Sequence, residues 1–179
     1  HYSRPNMKGR VIFGDLVPFG KEWRLGANEA TEVYFGVPVE IGGTMINPGY
    51  YTMFADVYPT QWVLKISSER HIAGGQNRDI SMDVASVSLP VVHTAESREA
   101  FTIGFQEVDD NHCNMIMGWD RSEVSMPISF APAFMAGDDA SPMDLAQYPR
   151  NSRMRNFLEG AEKEAAMPKV RVVYSRPKK

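Results

Sequence analysis

A polar block near the start of the chain carries the residue types best suited to chemistry. Residues 23–31 read Trp-Arg-Leu-Gly-Ala-Asn-Glu-Ala-Thr, which places Arg24, Asn28 and Glu29 in one short stretch beside a glycine. A guanidinium offers paired donors to a carboxylate, phosphate or sugar, and an amide with a carboxylate can orient the ligand. Further basic residues precede the block. The predicted ligand-binding residues are Arg4, Lys8, Arg10, Arg24, Asn28 and Glu29.

Three roles fit this block. In a binding module, it forms the face that holds a partner protein or a small polar ligand. In an enzyme of hydrolase or isomerase type, Glu29 acts as acid or base while Arg24 and Lys8 hold a small anionic or sugar-like substrate. In a structural role, Glu29 neutralises Arg24 or Arg10 within a buried ion network, and Asn28 closes a loop. A water-filled cleft lined by Glu29, Arg24 and Arg10 would favour the enzyme.

No metal site or cofactor is predicted. Residues 109–113 read Asp-Asp-Asn-His-Cys, which are metal-ligating types. They lack the glycine and the final glutamate of a calcium loop, and no second cluster has zinc-site spacing. We expect a hairpin turn there instead. Cys113 is the only cysteine, which excludes an internal disulfide.

Short strands must position these side chains. Their near-regular spacing, with no helix between them, predicts an all-β fold: an antiparallel β-sandwich or jelly-roll-like domain with one C-terminal α-helix and a terminal strand. A slip in the alternation near Ala85 and Ser86 predicts a β-bulge. The predicted strands cover residues 30–35, 37–41, 44–46, 50–57, 61–67, 80–89, 101–105, 114–119 and 123–130.

The chain changes character after residue 131. We predict a β-sandwich domain over 1–131, a linker with a short helical turn over 132–150, an amphipathic helix over 151–167 and a terminal strand over 168–179. These last two elements are expected to bind another protein chain or a neighbouring copy of this one. The predicted partner-binding residues are Met154, Phe157, Leu158, Val170, Val172 and Tyr174.

Composition narrows the class of protein. The 179 residues suit one ordinary domain, and 43% hydrophobic with 23% charged residues is typical of a globular chain. The formal net charge of −3 argues against nucleic acid as a partner. No apolar stretch reaches the roughly 18 residues of a membrane-spanning helix. The basic C-terminal tail leaves association with an anionic membrane surface open.

The tetrapeptide Tyr-Ser-Arg-Pro occurs twice, at residues 2–5 and 174–177. The two copies lie about one domain length apart, which indicates an internal repeat. Residues 168–179 therefore resemble the first strand of a further copy of the domain. Two arrangements explain this: the chain spans parts of two tandem copies, or it is a circular permutation. The tandem arrangement is favoured because duplication is the simpler route to a repeat.

Several blocks resemble a family of secreted proteins from Bacteroidetes-like and Gemmatimonas-like bacteria that is catalogued only as a domain of unknown function. The blocks are Tyr-Ser-Arg-Pro at 2–5, Lys-Gly-Arg at 8–10, Leu-Val-Pro-Phe-Gly at 16–20 and the polar block at 23–31. The resemblance covers about residues 2–130. In that family a segment similar to residues 141–179 comes first. The resemblance implies export to the periplasm or cell surface. It does not indicate any particular activity, because none is established for the family.

From these observations we expect a non-catalytic periplasmic or cell-surface module that binds a partner protein, or an accessory subunit of a larger envelope assembly. The alternative is an enzyme of hydrolase or isomerase type in which Glu29 acts as the acid or base.

Overall fold

The computed structural model describes residues 1–72 and 78–130, and this part of the chain forms two antiparallel sheets. The predicted all-β class is therefore confirmed. A 3-10 turn, Ile80–Met82, precedes the seventh strand. The strands are β1 (Glu22–Trp23), β2 (Thr31–Phe35), β3 (Val39–Ile41), β4 (Thr44–Ile46), β5 (Gly49–Val57), β6 (Gln61–Ser67), β7 (Asp83–Pro90), β8 (Val92–Asp109) and β9 (His112–Phe130).

The first sheet has five strands. β1 and β2 pair with different stretches of β5, and β6 and β7 follow in order. Alternation along β6 buries Trp62, Leu64 and Ile66 on the inner face. β5 is buried on both faces between Tyr51 and Ala55. A strand buried on both faces needs cover on its outer side as well.

The second sheet has the strand order β4, β3, β9, β8. β9 has 19 residues, which would span about 60 Å if the strand were straight. Its last residue nevertheless returns to its start, because Phe130 N donates to Asn111 O at 2.8 Å. β9 therefore folds back on itself. Asp120, with a φ of 50°, lies near the middle of the strand and departs from extended geometry.

The inner faces of the two sheets share one core, with aromatic rings at its centre. The ring centroid of Trp23 lies 5.9 Å from that of Trp119, 5.7 Å from that of Trp62 and 4.8 Å from that of Phe101. Trp23 and Trp62 belong to the first sheet, and Phe101 and Trp119 to the second. Each such ring pair contributes about 0.5–1.5 kcal/mol beyond its buried area. The cluster therefore joins the two sheets.

Residues 1–8 close the seam between the sheets. The backbone of His1 exchanges two hydrogen bonds with Glu32 of β2, at 2.7 and 2.9 Å. Farther along, Phe101 N of β8 donates to Pro5 O at 2.9 Å. The segment thus starts beside the edge of one sheet and continues beside the edge of the other.

Most predicted strands are present, with β6 matching at both ends. The prediction was wrong for residues 80–82, where the Asp79 side chain accepts from Ser81 N and caps a 3-10 turn. It also missed β1 and the first half of β8. The bulge is confirmed: Ile66 pairs with Ala85 and Ser67 with Asp83, which leaves one residue of β7 unpaired.

The predicted linker, helix and terminal strand, residues 132–179, lie outside the described residues. In the part of the chain that the structure describes, no helix is long and apolar enough to cross a membrane.

Candidate functional site

Arg4 lies in the seam and binds the edge of β8. Its Nε donates to Phe101 O at 3.3 Å, and its Nη2 donates to Thr102 Oγ1 at 3.0 Å. Beside it, the Tyr2 hydroxyl accepts from Ile103 N at 3.1 Å and lies 3.4 Å from the carbonyl oxygen of the same residue. Two side chains of Tyr-Ser-Arg-Pro therefore recognise three consecutive residues of β8.

Lys8 and Arg10 shape the chain just after the seam. Lys8 N donates to Glu99 Oε1 at 2.9 Å. The Arg10 guanidinium donates to the carbonyl oxygens of Asn6 at 2.7 Å and Met7 at 2.9 Å, within its own turn. The contacts of Arg10 are local, whereas that of Lys8 joins the turn to β8, and all of them are structural.

The polar block at residues 23–31 does not converge on one point. Arg24 is half-buried, whereas Asn28, with a φ of 64°, and Glu29 are exposed. Among residues 1–72 and 78–130, Glu29 forms no ion pair with Arg24 or Arg10. Within these ranges the predicted buried ion network is therefore absent, and the cavity that Arg24 lines includes neither Glu29 nor Arg10 in its wall.

The block instead anchors the seam. The Thr31 hydroxyl donates to Leu25 O at 2.5 Å and closes the loop between β1 and β2. A Cβ on Gly26 would lie 3.0 Å from Ser3 O. Glycine at this position therefore permits the N-terminal segment to approach the loop closely.

A cluster that the sequence did not suggest lies on the outer face of the five-stranded sheet, centred on Arg78. Its side chain is only 2% exposed. It lies 4.5 Å above the Phe54 ring and pairs with Glu22 at 2.7 Å and Asp83 at 2.5 Å. Lys65 extends the cluster by binding Glu22 at 3.1 Å. The signal that could have revealed this cluster is the apolar run in β5, because a strand with apolar residues on both faces is covered on its outer face as well.

Electrostatics hold this cluster in its charged form. Burial alone would raise the pKa of Glu22, but hydrogen bonds and charge from Arg78 and Lys65 outweigh it and lower that pKa. Burial would lower the pKa of Lys65, but Asp56 and Glu22 raise it. The hydrogen bonds that Arg78 donates to Glu22, and then those to Asp83, raise its pKa despite its burial. The three groups stay ionised through the neutral pH range.

A cavity of about 130 Å³ adjoins this cluster. Leu16, Pro18 and Phe54 form apolar parts of its wall, and Arg24 and Lys21 add positive charge. The Nε atom of Arg24 is buried and has no hydrogen-bond partner within the described ranges. Of the six predicted ligand-binding residues, Arg24 is the one that lines this cavity.

Residues 109–113 form the predicted hairpin turn. Asp109 accepts from Asn111 N at 2.8 Å and contacts Nδ1 of His112 at 2.7 Å. The hydrogen bond from Asn111, followed by that from His112, lowers the pKa of Asp109. No group of three or more potential metal ligands occurs in the described parts of the chain.

A family model described as "Protein of unknown function (DUF2911)" matches residues 1–128. The chain belongs to the DUF2911 family. The DUF2911 match runs from the seam segment almost to the end of β9, so it covers both sheets. The predicted resemblance to a domain of unknown function is confirmed. No curated protein and no solved structure matches this DUF2911 chain.

Proposed function

We propose that this chain is a non-catalytic periplasmic or cell-surface module that binds another protein chain. The partner contributes a strand ending in Tyr-Ser-Arg-Pro, which enters the seam between β2 and β8. One observation carries the proposal: residues 2–5 fill this seam through side-chain hydrogen bonds from Tyr2 and Arg4. The identical residues 174–177 carry the same hydrogen-bonding groups.

The pairing of His1 with Glu32 gives the register of a longer strand. The two residues exchange both backbone hydrogen bonds, as directly opposed residues of an antiparallel ladder do. Residues that precede Tyr-Ser-Arg-Pro therefore continue along β2. In a strand with the sequence of residues 170–173, Val172 comes opposite Val33 and Arg171 comes opposite Tyr34.

The two faces of β2 fit that sequence. Phe35 is buried on the inner face, and the partner's valine at position 170 comes opposite it. Tyr34 is 54% exposed on the outer face, with its ring 4.5 Å from that of Tyr50. The basic residue at position 171 meets this aromatic pair, where Arg70 already lies 4.5 Å above Tyr50. Apolar and basic positions of the strand thus each meet suitable neighbours.

The partner is best supplied by a second copy of this domain. Within one domain the seam already holds residues 2–5, so the second Tyr-Ser-Arg-Pro requires a seam from which the first copy is displaced. Residues 170–173 come directly before the second motif, and in this register they pair along β2 as far as Phe35. Strand addition and swapping between identical domains are common routes to assembly. The predicted helix at 151–167, with Met154, Phe157 and Leu158, belongs to the same docking element.

A peptide-binding measurement tests the proposal. The full chain carries Tyr2→Ala, Arg4→Ala, Tyr174→Ala and Arg176→Ala together, which removes the recognition groups of both copies. A fluorescent peptide with the sequence of residues 168–177 is titrated in, and its anisotropy is followed. We expect saturable binding, tighter than to the unmodified chain because the seam is open.

Peptide variants provide the controls. Replacing the peptide's Tyr and Arg by Ala should abolish binding, whereas replacing its Ser should not, because no side-chain hydrogen bond of Ser3 occurs in the described parts of the seam. Circular dichroism verifies that the substituted chain is folded. Equal binding of both peptide variants would refute the proposal, as would failure of the original peptide to bind the folded chain.

A further inference from the structure

We propose that Asp120 recognises Lys179 when the second Tyr-Ser-Arg-Pro enters the seam, and that this contact favours the incoming strand over the first copy. The inference rests on the proposed function and names the residue that distinguishes the two copies. They differ directly after Tyr-Ser-Arg-Pro, because the first continues with Asn6 and Met7 and the second with Lys178 and Lys179. The surroundings of Asn6 and Met7 therefore decide which copy binds more tightly.

The seam continues past Tyr-Ser-Arg-Pro along β8. Met7 N donates to Glu99 O at 2.7 Å. This is a backbone contact, which any residue except proline can make. When the second copy takes the same register, Lys179 occupies the position of Met7 and forms the same hydrogen bond.

The side chain at this position lies close to an acidic group. The Met7 sulfur is 3.6 Å from Ser97 Oγ, which donates to Asp120 Oδ1 at 2.7 Å. Met7 is half-buried and packs against the core, whereas Ser97 is exposed. A lysine keeps this packing with its aliphatic stem and extends beyond the position of the sulfur by a methylene and the ammonium. The ammonium therefore lies at the surface, within reach of the Asp120 carboxylate.

The acidic groups beside this position are available to a lysine. Arg98 lies directly opposite Asp120 in the ladder, but its guanidinium pairs with Glu123 at 2.5 Å. Glu99 adds a second carboxylate, whose Oε1 accepts from Lys8 N at 2.9 Å. That hydrogen bond is lost when the first copy leaves the seam. Its departure therefore leaves two carboxylates beside the position that the incoming lysine enters.

Peptide binding to the open seam tests the inference. The full chain carries the alanine substitutions described above together with Lys178→Ala and Lys179→Ala, so that its own tail does not compete. One fluorescent peptide has the sequence of residues 168–179, and a second carries Lys179→Met, which restores the residue of the first copy. At low ionic strength we expect the lysine peptide to bind about threefold to fivefold more tightly, as is typical of one partly exposed ion pair. Sodium chloride should reduce this difference, because salt screens exposed charges.

Asp120→Asn in the chain completes a double-mutant cycle. Asparagine tolerates the left-handed backbone of this residue, whose φ is 50°, and it retains an oxygen that accepts from Ser97. This variant should lose most of the preference for the lysine peptide. Asp110→Asn is the matched control, because Asp110 is also an exposed acid but lies in the turn that follows β8. It should keep the preference.

The outcomes separate this inference from the proposed function. Circular dichroism verifies that each variant is folded. Failure of both peptides to bind the folded chain refutes the proposed function and this inference with it. Equal binding of the two peptides overturns only the recognition of Lys179 by Asp120, as does an unchanged lysine preference in folded Asp120→Asn.

Discussion

Replacing Arg78 by Met should destabilise the fold more than any comparable arginine substitution on this face. The Arg78 side chain is 2% exposed and pairs with two carboxylates, Glu22 and Asp83. Methionine retains an apolar stem over the Phe54 ring but removes both ion pairs. The substitution therefore isolates the electrostatic part of the cluster.

The expected loss in the free energy of unfolding is about 2–3 kcal/mol. Breaking a fully buried pair costs about 3–5 kcal/mol, and breaking an exposed pair costs up to about 1 kcal/mol. The side chains of Glu22 and Asp83 are 23% and 22% exposed, so water still reaches them. Glu22 also keeps Lys65 at 3.1 Å. The expected loss in the free energy of unfolding therefore lies between the values for an exposed pair and a fully buried pair.

Urea denaturation of the full chain measures the difference. Arg70→Met is the matched control, because Arg70 also lies 4.5 Å above an aromatic ring, that of Tyr50, but is exposed. We expect it to cost less than about 1 kcal/mol. A loss for Arg78→Met no larger than that for Arg70→Met would show that the two ion pairs do not stabilise the fold.

The difference in the free energy of unfolding between the unmodified chain and Arg78→Met should decrease as the pH falls. The folded state lowers the pKa of Glu22. Its stabilising contribution is therefore fully present above the ordinary glutamate pKa of about 4.3 and is lost as the pH falls through the lower, folded pKa. The gap between the unmodified chain and Arg78→Met should narrow under acidic conditions. A gap that stays constant down to about pH 3 would contradict the assignment of Glu22 as the main partner.

Three further outcomes are expected. Tyr2→Phe should lower stability by about 1–2 kcal/mol in urea denaturation, because it leaves a β8 backbone amide without its hydroxyl acceptor. Gly26→Ala should cost more than about 1 kcal/mol, since the added Cβ meets Ser3 O at 3.0 Å, whereas Gly104→Ala has open space and should cost less in the same assay. Cys113 is 7% exposed and burial raises the pKa of its thiol, so Ellman's reagent should modify it at a rate limited by unfolding. Fast modification of the folded chain would show that this thiol is accessible.

The candidate site was only partly predictable from sequence. Arg24 was identified because its residue type and neighbours suit ligand binding, and it does line the cavity. Asn28 and Glu29 were grouped with it by proximity in sequence, but the turn between β1 and β2 leaves both of them exposed. Nearness along the chain does not ensure that side chains converge, since loop backbone directs successive side chains differently.

The Arg78 cluster brings together residues that are far apart in the sequence. Its four other members, Glu22, Asp56, Lys65 and Asp83, belong to four different strands that meet only in the assembled sheet. No local pattern connects them. The apolar run in β5 is a signal for a covered outer face that the sequence analysis did not use, and the covering residue is identified only in the assembled sheet.

Local patterns in the sequence were sufficient to predict the all-β class, most strands and turns, and the bulge in β7, and the sequence also contains the repeat of Tyr-Ser-Arg-Pro. These features follow from local rules: alternation places side chains on one face, and glycine, proline and asparagine end strands. The assembled fold was needed to place residues 2–5 between β2 and β8 and to place Arg24 in the wall of a cavity. Such contacts join residues far apart in the chain, and their free energy depends on packing and burial that appear only when both sheets are assembled.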